Sequence, residues 1–207
     1  MSARQTKISR RIKLQDINEF EKELAARIGV PTDLRPFVCD GSPLTCDVFI
    51  VGFNPATSMS ADFWQFWRVG EGFDKAAWFE AYKKDRQVRP LKPGKTRRNA
   101  ISPSRRVIDW VVESASPFRC LETNIHLAST EQAVDLVSAQ RVTATFDFLL
   151  SSIKPRIVVA HGAPAVEHMQ KMNIDAKVFP VSHFSRGWSR QASIELGVKI
   201  ANELTDA

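Results

Sequence analysis

The chain has 207 residues, 43% of them apolar and 25% charged, which is enough for one well-buried α/β domain and ordinary for a globular protein. No apolar run reaches the roughly 18 residues that a membrane span needs. The basic N-terminus lacks the apolar core and cleavage site of a secretory signal, so a cytoplasmic monomer without membrane contact is expected.

In chain order, the first element is a helix over 12–29, where Leu14, Ile17, Phe20, Leu24 and Ile28 make an apolar stripe closed by Gly29. A turn-rich loop leads to a first strand, Asp47 to Gly52, whose β-branched run predicts a buried parallel strand. An aromatic segment, Ala61 to Gly70, precedes an amphipathic helix from Phe73 to Lys84. A helix over Ser104–Ser114 and a strand over Arg119–Asn124 follow. Glu131 to Ser152 reads as one long helix, and Arg156 to Gly162 as a second buried strand stopped by glycine. The chain then gives a helix in "APAVEHMQKM", a strand in "KVFPVSH" and a closing helix. Pro180 places that last strand at an edge or makes it short.

Alternating strands and helices predict a single three-layer α/β/α domain over 1–207, with a central, mostly parallel four-stranded sheet. In such sheets ligands bind beyond the carboxyl ends of the strands. Those ends carry Gly52-Phe53-Asn54-Pro55, Asn124, His161-Gly162 and His183.

Net charge is +6, and it is unevenly placed. Between Lys83 and Arg106 ten basic residues face one acid, Asp85, a local +9 in 24 residues. Such a basic insertion gathers phosphate by counterion release, or is simply a solvated loop on a basic protein. "PGKTRR" is no P-loop, because Arg89 stands where that pattern needs glycine. Cys39, Cys46 and Cys120 read as reduced thiols, with a Cys39–Cys46 disulfide as the alternative. The scattered histidines and cysteines match no metal motif, so neither metal nor cofactor is expected.

These strand-end motifs resemble those of the uracil-DNA glycosylase superfamily. Gly52-Phe53-Asn54-Pro55 is similar to its first motif, Asn124 in "LETNIHL" to its base-reading asparagine, and "HFSRGWS" (His183 to Ser189) to its second motif. Phe184 stands where the family usually has proline, and the cysteines of the iron–sulfur branches are absent. The resemblance implies a monofunctional DNA glycosylase that flips a nucleotide and hydrolyses its N-glycosidic bond, the base being uracil or another deaminated or damaged base. It implies that Asn54 positions the attacking water, His183 donates to the departing base, and Asn124 reads the base edge. Gly52, Phe53 and Pro55 would frame the substrate, and Phe63, rather than Phe66 or Trp64, would stack on it. DNA would be held by Arg97 and Arg98 of the basic insertion and by Ser185, Arg186 and Trp188 of the second motif, with Arg186 or Trp188 as the wedge.

Each residue also has a plainer reading. Asn54 before proline opens turns, Asn124 can cap a strand end, and His183 can be a half-buried structural histidine. A catalytically inactive nucleic-acid binder of the same fold remains open, as does a hydrolase using Ser182 or Ser185 with His183. His126, His161 and His168 receive no role.

Overall fold

The computed structural model describes residues 17–91, 93–94 and 96–206. Leu14, Lys92 and Lys95 of the sequence reading lie outside these. The first helix, α1, covers 17–28. The strands are β1 (Phe37–Val38), β2 (Val48–Gly52), β3 (Trp67–Arg68), β4 (Gly72–Phe73), β5 (Cys120–Asn124), β6 (Ile157–His161) and β7 (Lys177–Val181). The remaining helices are α2 (Lys75–Val88), α3 (Pro103–Ser114), α4 (Ala144–Ile153), α5 (Ala163–Lys171) and α6 (Arg190–Asp206).

A five-stranded sheet of order β1-β5-β2-β6-β7 forms the centre. Its four long strands are parallel, and β7, with Pro180, is an edge strand. The four-stranded expectation is corrected by β1, a two-residue antiparallel strand paired with β5. Two residues carry no periodicity, and β1 is fixed by long-range pairing alone. All five residues of β2 are buried, as its position between two parallel partners requires.

Strand alternation divides the apolar residues between two clusters. Phe49, Val51, Leu121, Val158 and Ala160 pack with Ile17, Phe20 and Leu24 of α1, Phe146 and Leu149 of α4, and Met169 of α5. Val48, Ile50, Cys120, Ile157 and Val159 pack with Val107, Ile108 and Val111 of α3, and Leu196, Ile200 and Leu204 of α6. Helices thus lie around the sheet. The three cysteines are buried free thiols. No helix among the described residues is long and apolar enough to cross a membrane.

The long helix expected over Glu131–Ser152 is a second correction. Two 3-10 turns, Ala133–Asp135 and Ser138–Gln140, precede α4. The Asp135 and Gln140 side chains accept from the backbone N–H of Gln132 and Val137, closing local turns that compete with helix. Val134, Val137 and Val142 are exposed as a result.

One buried ionic cluster ties two helices to β5. Glu122 of β5 accepts from Lys75 of α2 at 2.9 Å and from Arg105 of α3. Burial raises the carboxyl pKa, and Arg105 and Lys75 together outweigh it, pulling the group down to about 2. The unfolded state binds the proton more tightly, so this stability is present above the unfolded pKa, near 4.5, and is lost as pH falls toward 2. Glu122→Gln should therefore destabilise the fold by roughly 3–5 kcal/mol at neutral pH. It should also flatten the stability–pH curve below about pH 4.5. Chemical denaturation across pH checks both, and an unchanged acid limb would remove Glu122 as its source.

Candidate functional site

The strands bring their carboxyl ends together with defined register. Gly52 pairs with Asn124, and Val51 with Ala160, so His161 lies beside Gly52. By the two-residue pleat all three continue the α3/α6 face of the sheet. From β2 the chain turns toward β5, and from β6 toward β7, so β2 and β6 flank the switch point where open α/β sheets bind ligands.

Glycine is required at two positions here. A Cβ on Gly52 would lie 2.5 Å from Asn124 Oδ1 and 3.1 Å from His161 Nε2. Asn124 and His161 therefore lean into the space that a side chain would fill. Gly162 has φ +88°, and a Cβ there would lie 3.0 Å from His183 Cδ2. It turns the chain into α5 and lets His183 approach.

His183 is exposed, and its Nδ1 accepts from the Ser185 N–H at 3.2 Å and meets Ser185 Oγ at 2.8 Å. A backbone N–H can only donate, so the neutral ring carries its proton on Nε2. Partial burial, aided by Arg186, lowers the imidazole pKa and favours that neutral form. Ser185 thus fixes a tautomer. No hydrogen bond or ion pair joins a carboxylate to His183 among the described residues, which leaves the Ser–His pair without the third member of a hydrolase triad.

His161 was given no role from sequence, yet it sits at the centre. Its ring stacks on buried Phe184 at 4.6 Å and stands edge-on to His183 at 5.1 Å. Burial, with His183 and Arg105 adding to it, pulls it down to about 3, so it is neutral at physiological pH. Its Nδ1 is buried with no partner among the described residues. The legible signal was positional: a histidine immediately before the glycine that ends a strand. Phe184 is the floor beneath this ring.

Asn54 is half-buried, and its Nδ2 donates to Thr130 Oγ1 at 2.7 Å, Pro55 O at 3.3 Å and Ala128 O at 3.4 Å. The Thr130 hydroxyl donates to Gln132 O at 2.7 Å, so toward Asn54 it is an acceptor. That network fixes the amide orientation and leaves Oδ1 as the free acceptor. Pro55 is buried, with its carbonyl accepting from Thr130 N–H. Phe53 packs edge-on against His126 at 4.8 Å.

Other expected site residues are placed differently. Phe63 is 3% exposed and packed among Phe37, Phe73 and Trp67, so it is a core residue and no base platform. Arg98 donates to the carbonyls of Arg86, Arg89 and Pro90, closing the C-terminus of α2 rather than facing solvent. Trp188 is docked edge-on against Phe184 at 5.1 Å and bonded to Ser182 O at 3.3 Å, which removes it as a projecting wedge. Arg97 and Arg186 are exposed.

A cavity of about 700 Å³ lies at the opposite, amino end of the strands, lined by Leu150, Arg156, Met172, Ile174, Lys177 and Leu204. It is remote from the strand-end motifs. Among the described residues no group of three or more His, Cys, Asp or Glu side chains is gathered closely enough to hold a metal ion. Comparison with known protein families and with curated proteins finds no match.

Gly52→Ala tests the notch. The added Cβ meets the mobile end of Asn124, so stability should fall by no more than about 1–2 kcal/mol while Asn124 and His161 are displaced. A crystal structure of the variant with Asn124 unmoved would discount the notch.

Proposed function

We propose that the protein is a monofunctional DNA glycosylase of the uracil-DNA glycosylase type, built on a three-layer α/β/α frame. The observation that carries this reading is two orientation-locked groups at the carboxyl end of one sheet: an acceptor on Asn54 and a donor on His183, neither engaged by another described residue.

In this reading a flipped nucleotide enters the crevice between β2 and β6. Asn54 Oδ1 accepts a hydrogen bond from water and aims its oxygen at the sugar carbon that bears the base. As the glycosidic bond breaks, its electron pair passes to the base. His183 Nε2–H donates to the base oxygen on which that charge gathers, an effect of about 10²–10³-fold per donor. Water supplies hydroxide to the sugar and a proton to the base, so the products are an abasic site and a free base. Asn124, leaning over Gly52, offers both a donor and an acceptor to the base edge. A neutral amide orients water without deprotonating it, so slow chemistry is expected.

A second reading, a nucleic-acid-binding protein without catalysis, draws on the same Asn54 bonds, which also suffice to staple the 128–130 loop. Single-turnover assays on oligonucleotides bearing uracil, hypoxanthine, xanthine or a G·T mismatch separate the two, with cleavage at abasic sites as readout. Release of no base, with salt-dependent binding retained, would favour the second.

Where excision occurs, Asn54→Ala should slow it about 10²-fold or more with DNA affinity retained. An unchanged rate would remove Asn54 from the chemistry. His183→Ala should cost a similar factor.

The two adjacent arginines should separate cleanly. Arg97→Ala should weaken DNA binding and reduce the salt slope by about 1. Arg98→Ala should leave that slope intact and cost roughly 1–3 kcal/mol of stability, because it releases backbone carbonyls. Equal salt slopes in the two variants would overturn this division.

A further inference from the structure

Two groups that can only donate hydrogen bonds meet beside a small cavity, and neither has an acceptor. Trp78 of α2 is 1% exposed, and its buried indole N–H has no partner among the described residues. Arg35 carries five N–H donors and makes no hydrogen bond or ion pair with any described residue. Both line one cavity with Met59, Ala61, Phe63 and Phe66, and it has room for about one water-sized atom. The guanidinium carbon of Arg35 lies 5.7 Å from the Trp78 ring centre, and that of Arg105 lies 5.1 Å away.

The charge is unbalanced as well. Glu122 has both oxygens engaged, one by Lys75 and one by Arg105, and Asp109 pairs with Arg105 at 3.5 Å. Arg35, Lys75 and Arg105 therefore face two carboxylates. Asp33 also lines the cavity, but it is exposed and makes no ion pair with Arg35. Burial, reinforced by Arg105, lowers Arg35 to about 10, so it stays charged at neutral pH. Arg35 is half-buried, and a partly desolvated cation without an ion pair is costly to keep.

The position is that of the crevice end of the sheet. Phe37 pairs with Thr123, whose hydroxyl donates to Pro36 O at 2.7 Å, so Arg35 emerges beyond the carboxyl end of β5, and the apolar residues around its cavity belong to the cluster opposite α3 and α6. Met59 and Ala61 belong to the segment that follows Gly52–Pro55.

We propose that Arg35 and Trp78, with the charge of Arg105 beside the indole, form a seat for one phosphate group, a non-bridging oxygen entering the cavity as the acceptor that Arg35 and Trp78 lack. A phosphodiester carries one negative charge, which matches the surplus of one cation. Its assignment to the backbone of a strand bound in the crevice rests on the glycosylase-type reading, and the chemistry of the seat does not.

The test follows the Trp78 indole ¹H–¹⁵N resonance, assigned through Trp78→Phe, in titrations at constant ionic strength. The probes are inorganic phosphate and a short thymidine oligonucleotide. Both should move it in the wild-type protein and neither in Arg35→Met, which should bind the oligonucleotide about tenfold more weakly. In phosphate-free buffer Arg35→Met should melt at or above the wild-type temperature, because a half-buried charge without an ion pair is removed. No movement with either probe identifies a single ordered water as the occupant and overturns the seat, as does equal movement in Arg35→Met. Movement with inorganic phosphate alone overturns the backbone assignment. Phosphate-dependent movement without excision of any base leaves the seat and removes the glycosylase reading; excision with a motionless resonance does the reverse.

Discussion

A carboxylate that has left water must be held by cations that have left it too, and Glu122 sets that condition for one whole end of the sheet. One oxygen is bound by Lys75 at the start of α2 and the other by Arg105 in the first turn of α3. Both helices are thereby drawn to the carboxyl end of β5, two residues from Asn124. Arg105 is committed further by Asp109 and lies close enough for its charge to depress His161. Trp78 follows Lys75 by three residues on α2, so the placement of the indole and of the cavity beside it depends on the same bond. The apolar clusters hold the sheet together, whereas this ion cluster fixes which helix ends face the crevice.

The crevice is organised by the commitment of hydrogen-bonding groups as much as by their presence. Asn54 uses its N–H groups on Thr130, Ala128 and Pro55 and keeps an acceptor. His183 uses its acceptor on Ser185 and keeps a donor. The two are complementary, and in each the orientation follows from a neighbour that can play only one role. Thr130 has already given its proton to Gln132, and the Ser185 amide has only a proton to give. Between them, Gly52 and Gly162 remove the side chains that would keep Asn124, His161 and His183 apart. The strand that begins in "CDVFIVG" stops on glycine because two neighbouring strands deliver polar side chains into that space.

The parallel strands were legible because burial on both faces leaves a β-branched run, and a glycine stop marks the carboxyl end. Helix α3 was legible for the same kind of local reason, one apolar face of Val107, Ile108 and Val111, whereas its cap at Ser102 was not read. What failed was whatever depends on a distant partner. Strand β1 exists only through its pairing with β5. The turns over 133–140 arise because Asp135 and Gln140 reach their own backbone, which an apolar count over the same segment does not register. The cluster of Phe63, Trp64, Phe66 and Trp67 announces burial without saying which ring faces a ligand, and Phe63 faces the core. His161 received no role from sequence, although its place at the end of β6 already put it beside Gly52.

Charge counting met the same limit. Of the basic residues between Lys83 and Arg106, Lys83 pairs with Glu80 and Arg89 with Asp85 and Ser58 O. Arg86 caps Asn99 O, Arg98 caps three carbonyls, and Arg105 neutralises Glu122. Cations spent in this way hold the insertion against α2 and release no counterions when a polyanion arrives, so only Lys84, Arg97 and Arg106 remain exposed for that purpose among the described residues. Arg35, half-buried and without a hydrogen bond or ion pair to a described residue, lies outside the basic stretch and is invisible to any count over it. A phosphate-binding surface is thus defined by donors left without acceptors, and on that criterion attention moves from the richest run of charge to a single guanidinium beside an unpaired indole.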